Sequence, residues 1–299
     1  MSVLKRSAWF RGKTHLHYIW PALLVLFLLT VIPTAVLIYL SLTNYELGSP
    51  SASYVGFANF KHMLSGQDKV FWPSVKLSLG FMLVVTAAEL LLGFFLATLL
   101  NRDFRGKALV FACLIVPIAM TPSITGQIWK LMLNSEYGVV NYLLQSAFHT
   151  KVVWLSSEYA MLSTVLVDIW QNTPFVAIIL YAGLRSLPAE PYEAAMVDGA
   201  GKWSTFVHLT LPLLKPVLLL AILFRIMDSL KTFDIPFTLT QGGPGTATEF
   251  LSLHVYRLGF AHTGWIGRAS AASFILLVFI GILCFLLVGI LRKGSEKRG

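Results

Sequence analysis

Six long apolar blocks separate the polar parts of this chain, and they limit its fold more than any other feature of the sequence. Each block holds about 20 residues, which is the length that a helix needs to cross the hydrocarbon core of a bilayer. A soluble protein with a single hydrophobic core would not need such blocks. We therefore predict an all-α polytopic membrane protein with six transmembrane helices, over residues 19–42, 77–100, 108–128, 159–184, 213–239 and 269–291.

The composition and the charge agree with a membrane protein. Of the 299 residues, 56% are hydrophobic and 12% are charged, whereas soluble domains carry about 25% charged residues. The net charge of +9 comes from basic residues that mostly lie between or outside the apolar blocks. This placement is typical of residues that set membrane topology and not of a nucleic-acid-binding patch. Cys113 and Cys284 lie inside apolar blocks, where we expect them to pack as small hydrophobes.

Lysine and arginine indicate the orientation of the chain. The segments on the same side as the N-terminus carry more of these residues than the opposite segments, so the positive-inside rule predicts that both termini are cytoplasmic. We predict a cytoplasmic segment over 1–18, a transmembrane domain over 19–291 and a cytoplasmic tail over 292–299. The first apolar block is too long for a signal peptide, and we expect it to be a retained anchor helix.

One predicted cytoplasmic loop, residues 185–212, is long and amphipathic. Pro188 and Pro191 suit the start of a helix, because proline presets the backbone angle and needs no hydrogen-bond donor there. Glu190 and Glu193 place negative charge near the positive end of that helix. We therefore predict a short helix on the cytoplasmic face.

The same loop contains signals that end this helix and begin another. Gly199 and Gly201 are expected to stop the first helix, since glycine tolerates the left-handed backbone of a helix cap. A second short helix over 202–211 is expected to end at Pro212. Such a helix pair could lie on lipid headgroups or dock into a groove on a protein partner, and local physics leaves both possibilities open.

The order of residues in this loop resembles the EAA motif of ABC importer permeases. The motif has Glu-Ala-Ala, then a glycine, then an aliphatic residue shortly before Leu-Pro, and here leucine stands at the aliphatic position, where isoleucine is frequent. The resemblance implies a MetI-like ABC permease fold in which this loop is a coupling helix seated on an ATPase subunit. It assigns that role to Glu193, Ala194, Ala195, Asp198, Gly199, Ala200, Leu209 and Pro212.

Other segments are similar to the carbohydrate-type permeases of the same family. These are Phe233-Asp234 followed by LTQGGPG at 239–245, and the segments 116–141 and 54–60, which resemble first permeases of the maltose and glycerol-3-phosphate type. The resemblance implies import of a sugar, oligosaccharide, polyol or related solute across a bacterial or archaeal cytoplasmic (inner) membrane.

The resemblance also implies the partners of the chain. They are a second permease subunit, favoured to be a different chain, two ATP-binding subunits that carry ATP and Mg, and an extracytoplasmic solute-binding protein. We expect residues 240–248 to form one contact with the binding protein. No cofactor in this chain and no nucleic acid is implied.

Two predicted spans carry polar side chains on one helical face. A polar group inside a bilayer is costly unless it faces protein or a water-filled path. Amides and carboxylates pair with hydroxyl groups, and an aromatic ring can cover the apolar face of a sugar. We therefore predict that the solute passes along Asp168, Gln171, Asn172 and Phe175 in the fourth span and Arg225, Asp228, Ser229 and Thr232 in the fifth.

The role of Arg225 remains open on the sequence alone. It could pair with Asp228 one helical turn away and only hold the span in register, or it could contact an anionic solute. Lys231 and Asp234 could pair in the same way. Glu89 is another acid inside a span, where it could serve either helix packing or transport.

Sequence patterns of enzymes and of metal sites are absent from the chain. It contains no GxxxxGK[ST] pattern, so it is not itself the ATPase. It contains neither HExxH nor CxxC, so we expect no metal site. A membrane-embedded enzyme would need a catalytic constellation that is not apparent. A secondary transporter driven by an ion gradient is the alternative, although such proteins usually carry internal repeats and no clear repeat joins the two halves of this chain.

Overall fold

The computed structural model describes residues 4–261 and 264–296, and the regular secondary structure in these ranges is helical, apart from one isolated bridge between Thr43 and Tyr54. This confirms the all-α prediction. In chain order the helices are α1 Leu4–Ser41, α2 Ala58–Leu64, α3 Phe71–Leu100, α4 Lys107–Ala119, α5 Pro122–Met132, α6 Val139–Phe148, α7 Ala160–Arg185, α8 Glu190–Val197, α9 Lys202–Thr205, a π-helical turn Phe206–Thr210, α10 Leu211–Leu230, α11 Asp234–Leu239, α12 Leu251–Tyr256, a second π-helical turn Arg257–Ala261 and α13 Ile266–Glu296.

The chain forms two compact units. The smaller unit comprises Met1–Asp68 with Val255–Leu276, and the larger unit comprises Lys69–His254 with Leu277–Gly299. In the smaller unit, Asn59 Nδ2 donates hydrogen bonds to the carbonyl oxygens of Ser41 and Thr43, at 2.9 and 2.7 Å. These bonds fix α2 against the end of α1.

Among the residues that the structure describes, five long apolar helical segments could cross a bilayer, and the bent pair α4–α5 makes a sixth if it is one span. The five are Ile19–Ser41, Phe71–Leu100, Ala160–Arg185, Lys202–Leu230 and Ile266–Ile290. The apolar segment of α1 has no buried residue in its most hydrophobic stretch, which suits a helix that faces lipid or a partner chain. Cys113 is exposed on α4 and so is not packed as we expected, and Cys284 is half-buried; both are free thiols.

The third predicted span is not one straight helix. Residues 108–128 are divided between α4 and α5, which are bent by 102° relative to each other. Met120 and Thr121 are extended, with ψ values of 138° and 143°. The residue before a proline is driven out of the helical region, so Pro122 starts a new helix.

The fifth predicted span ends earlier than expected. Helix α10 ends at Leu230, and residues 234–239 form the separate helix α11. The ring of Pro236 would clash with the carbonyl group four residues earlier if the helix continued. Thr232, which was predicted to lie on the polar face of this span, is therefore outside α10.

The second helix predicted for residues 185–212 does not end at Pro212. Helical backbone runs without a break from Lys202 to Leu230. The N–H group of Leu211 bonds to the carbonyl of Phe206, five residues back. This wider π turn accommodates a proline that would otherwise clash with the preceding turn.

Helices α3, α7 and α10 form the centre of the larger unit. Their contact is lined by the buried side chains of Ala97, Val176, Leu180, Leu184, Leu214 and Ala221. At Gly93 of α3, an added Cβ atom would lie 2.7 Å from Val176 Cγ1 and 3.1 Å from the backbone nitrogen of Ala177. The close packing of α3 on α7 therefore requires glycine at this position.

We expect Gly93→Ala to lower the free energy of unfolding by about 1–3 kcal/mol, because the added methyl group overpacks the contact. Gly80→Ala, on the same helix, is the matched control, since a Cβ there would meet open space. The control should be neutral or stabilising, by up to about 1 kcal/mol from helix propensity. Thermal unfolding of the two variants in detergent tests this, and equal midpoints would contradict the prediction.

Candidate functional site

A cavity of about 480 Å³ opens beside the break between α4 and α5. Its walls come from that break, from α7 and from the C-terminal part of α10. The residues that line it are Ile118, Met120, Pro122, Gln171, Asn172, Phe175, Phe224, Arg225, Met227, Asp228 and Lys231. A cavity with polar walls between apolar spans is suited to a hydrophilic solute.

Five of the eight residues predicted for the solute pathway line this cavity, namely Gln171, Asn172, Phe175, Arg225 and Asp228. The other three do not. Asp168 is buried behind Arg225, and Ser229 is buried with its hydroxyl group donating to the carbonyl of Arg225 at 2.6 Å. Thr232 lies beyond the end of α10. Helical spacing predicted the helix face of Asp168 and Ser229 but not how deeply they are buried, and for Thr232 it assumed a helix that in fact ends at Leu230.

Arg225 is the centre of a buried charge cluster. Its side chain is 2% exposed and binds three carboxyl groups. Nε and Nη2 donate to the two oxygens of Glu89, with the Nη2 bond at 2.9 Å, and Nη2 also donates to Asp168 Oδ1 at 3.1 Å. Nη1 donates to Asp228 Oδ2 at 2.9 Å, as the one-turn spacing predicted.

The cluster joins three helices, since Glu89 lies on α3, Asp168 on α7 and Arg225 on α10. The one-turn spacing offered the Arg225–Asp228 pair as one of two possibilities, whereas the two other partners, which are 136 and 57 residues away from Arg225, were not predicted. The signal available for Glu89 and Asp168 was their charge inside apolar spans, which requires some buried partner without saying which one. Asp234, which could have paired with Lys231, instead accepts a hydrogen bond from Ser123 at 2.6 Å.

The two amide side chains of the cavity are held by hydrogen bonds. Asn172 Nδ2 donates to Asp168 Oδ2 at 2.9 Å and to the Asp168 carbonyl at 3.2 Å. Gln171 Nε2 donates to the carbonyl of Met120 at 3.1 Å, at the break between α4 and α5. Gln171 Oε1 is buried and has no hydrogen-bond partner among the described residues.

Two aromatic rings form an apolar wall of the cavity. Phe175 of α7 and Phe224 of α10 meet edge to face, with ring centroids 6.1 Å apart. Such a wall can cover the apolar face of a ring-shaped solute. Phe175 was predicted from its spacing to the polar residues of α7, whereas Phe224 was missed, although it lies four residues before Asp228 and shares its helix face.

The loop over residues 185–212 contains a complete helix cap at Gly199. Helix α8 ends at Val197, Gly199 has a φ of +73°, and its N–H group bonds to the carbonyl of Met196 at 3.2 Å. The N–H group of Ala200 bonds to the carbonyl of Ala195 at 2.9 Å. This pair of bonds is the Schellman motif, which requires the left-handed residue. Gly201, in contrast, has a φ of −69° and precedes α9, so the prediction that it also caps α8 in the left-handed region is wrong.

Helix α8 presents an uncovered surface. Glu193, Ala194, Asp198, Gly199 and Ala200 are exposed, Ala195 is half-buried, and Leu209 and Pro212 are half-buried in the following helical segment. Beside them, Met196, Val197 and Trp203 expose 72%, 88% and 76% of their surfaces. Apolar residues grouped in this way on a capped helix are typical of a docking surface.

One side chain connects α8 to the long helix that follows it. Tyr192 Oη donates to Thr210 Oγ1 at 3.1 Å. Trp203 also packs on Phe206, with ring centroids 5.6 Å apart, and Phe206 packs on Phe94 of α3 at 5.5 Å. The docking surface is therefore tied to the helix that carries Arg225.

Comparison with known proteins gives consistent matches. Residues 89–298 match the family described as binding-protein-dependent transport system inner membrane component. A probable ABC transporter permease protein, y4oQ of Sinorhizobium fredii, is 35% identical over 295 residues, with 98% of this chain and 94% of that protein covered. The trehalose/maltose transport system permease protein MalF of Thermococcus litoralis is 35% identical over 281 residues, with 94% and 93% covered.

The fold has a match among solved structures as well. A chain of a bacterial ABC transporter that imports the acidic polysaccharide alginate superposes with a TM-score of 0.79 at 21% identity, with 95% of this chain and 99% of that chain covered. At this identity the match concerns the fold, which is that of an ABC importer permease.

Proposed function

The chain belongs to the family of binding-protein-dependent transport system inner membrane components, and from this membership we propose that its 480 Å³ cavity is part of the solute pathway and that α8 is the coupling helix. The protein is a permease subunit of a carbohydrate-type ABC importer. The observation that carries the proposal is one continuous helical segment, Lys202–Leu230, which begins beside α8 and ends at the cavity.

This segment gives a direct mechanical route between the two sites. Its 29 residues extend about 43 Å at 1.5 Å per residue. Because the Tyr192–Thr210 hydrogen bond attaches α8 to it, a displacement of α8 by a partner would move the wall that carries Arg225 and Asp228. The π turn at Phe206–Thr210 is the place where the segment could bend, since π turns interrupt the regular hydrogen-bond ladder.

The proposal extends to the assembly around the chain. A second permease subunit, favoured to be a different chain, would complete the pathway, two ATP-binding subunits would receive α8, and an extracytoplasmic binding protein would deliver a sugar, oligosaccharide, polyol or related solute. The chain is a multi-pass membrane protein. We propose the bacterial or archaeal cytoplasmic membrane as its site, with both termini and α8 on the cytoplasmic face.

Uptake by the assembled importer should depend on ATP and not on an ion gradient. We expect solute accumulation in proteoliposomes only when ATP is supplied on the side of α8, because the proposed energy source is the partner that α8 contacts. Addition of a protonophore should leave the rate unchanged, and a non-hydrolysable ATP analogue should stop it. Accumulation without ATP that collapses with the proton gradient would instead establish a secondary transporter.

A further inference from the structure

On the basis of the proposed pathway, we infer that the cavity admits uncharged, hydroxyl-rich solutes and excludes anionic ones, because Arg225 is committed to carboxyl groups of its own chain. Arginine is the usual side chain for binding an anionic solute, since its guanidinium pairs with carboxylate and phosphate groups. The inference depends on which polar atoms of the cavity are still available to a solute.

Most N–H donors of the Arg225 guanidinium are already used within the chain. It has five N–H donors, and hydrogen bonds to Glu89, Asp168 and Asp228 use four of them, which leaves one N–H group of Nη1. An anionic solute could therefore form the bidentate pair that arginine usually makes with an acid group only by displacing a carboxyl group that the protein already holds in place. Three carboxyl groups around one guanidinium also leave no surplus positive charge to attract an anion.

The carboxyl group nearest to an entering solute is that of Asp228. Its side chain is 65% exposed, whereas those of Glu89 and Asp168 are almost completely buried. Asp228 lines the cavity and uses Oδ2 to accept from Arg225. A solute therefore meets a carboxylate before it meets the guanidinium, and a like charge there is repelled.

The amide groups of the cavity point to the same kind of solute. Both bonds from Asn172 Nδ2 go to Asp168, and Gln171 Nε2 is used by Met120. The buried Gln171 Oε1 has no partner among the described residues. The amide N–H groups, which could donate to an anionic solute, are therefore mostly used within the chain itself.

Lys231 is the remaining cation in the cavity lining, and it lies at the exposed rim. An ammonium group in contact with water is screened and attracts an anion only weakly, and with Lys231 included two cations still face three carboxyl groups. The wall formed by Phe175 and Phe224 contributes no charge and suits the apolar face of a sugar ring. The complete lining therefore favours a neutral carbohydrate.

Thiol chemistry in the assembled importer tests this inference without knowledge of the natural solute. The variant Met227→Cys places a thiol in the cavity lining, in a background with Cys113→Ser and Cys284→Ser. Its reaction rates with neutral hydroxyethyl methanethiosulfonate and with anionic sulfonatoethyl methanethiosulfonate are measured in nanodiscs during ATP turnover. Each rate is divided by the rate of the same reagent at Ser146→Cys, an exposed position on α6.

We expect the normalised rate of the anionic reagent to be at least about tenfold lower than that of the neutral one, which is the scale on which a charged cleft changes local ion concentration. Adding Asp228→Asn should bring the normalised rates of the two reagents closer together. Asp103→Asn removes an exposed carboxylate that pairs with Lys107 outside the cavity, and it should leave the ratio of the two rates unchanged.

The outcomes separate the inference from the function on which it rests. Equal normalised rates for the two reagents would overturn the exclusion of anions and leave the cavity as the proposed pathway. A thiol at position 227 that reacts with neither reagent, while position 146 reacts with both, would show that solutes do not enter the cavity and would overturn the pathway together with the inference.

Discussion

Arg225→Met is expected to lower the free energy of unfolding of this subunit by about 3–5 kcal/mol, the usual cost of breaking a buried ion pair from one side. The methionine side chain fills much of the same space, so a cavity contributes little to the loss. The main cost is electrostatic, because Glu89 and Asp168 are 0% and 3% exposed and would remain buried without their counter-ion. The midpoint of thermal unfolding in detergent, followed by intrinsic fluorescence, measures the effect.

Two further variants make this prediction specific. Lys231→Met removes a cation of the same cavity lining that is exposed, and its effect should stay within about 0.5 kcal/mol, as for most surface substitutions. Adding Glu89→Gln and Asp168→Asn to Arg225→Met removes the orphaned charges and should recover part of the lost stability. If Arg225→Met unfolds at the same temperature as Lys231→Met, the cluster does not stabilise the fold.

Solute uptake should be lost when Gly199 is replaced by alanine, although the subunit still inserts and folds. A left-handed conformation costs an alanine roughly 1–2 kcal/mol, and α8 has only 8 residues over which to absorb that cost. The Schellman cap would open and the end of α8 would fray, which removes the surface proposed to dock on the ATP-binding subunit. We expect uptake by the assembled importer to fall at least about tenfold, since 1.4 kcal/mol lost from docking is a factor of ten in affinity.

Gly201→Ala is the matched control for this change. Gly201 is two residues away in the same loop, its φ of −69° suits any residue, and an added Cβ atom would meet open space. Uptake with Gly201→Ala should therefore be close to that of the unaltered protein. Equal uptake in the two glycine variants would mean that the left-handed cap has no part in coupling.

Two acidic residues of α8 allow a similar comparison, in which one substitution tests the role of a carboxylate and the other is its control. Glu190 and Glu193 both lie in the first turn of α8, and both are exposed. Glu193→Gln is expected to abolish uptake if its carboxylate meets the partner, whereas Glu190→Gln should have little effect beyond a small loss of helix-dipole stabilisation. Membrane insertion, measured by the amount of folded protein in the membrane fraction, should be normal for both variants.

Much of the architecture could be predicted from local sequence properties. Apolar blocks of sufficient length predicted the spans, because the thickness of the bilayer sets the length of any helix that crosses it. The start of α8 at Glu190 and its left-handed cap at Gly199 followed from proline, acidic residues and glycine within a few positions of each other. These features depend on neighbours in the chain, so the sequence carries them directly.

The breaks inside the spans were not predicted, although the residues responsible were visible. Pro122 follows the break in the third span, and Pro236 follows the early end of the fifth span at Leu230. At Pro212, in contrast, the helix continues. Whether a proline ends a helix or is absorbed by a π turn depends on how the freed backbone groups find partners in the surrounding structure. Local propensity therefore shows where a helix could break but not whether it does break there.

The partners of Arg225 were decided by the tertiary structure alone. Helical spacing relates residues three or four positions apart, which is how the pair with Asp228 could be predicted. Glu89 and Asp168 come from other helices, and no periodicity within one helix can report which side chain on another helix it will face. The sequence by itself determined that this chain spans a membrane and which motif the loop over residues 185–212 carries. The packing of α3, α7 and α10 decided that its buried arginine would face three carboxyl groups, because side chains distant in sequence meet only when their helices pack together.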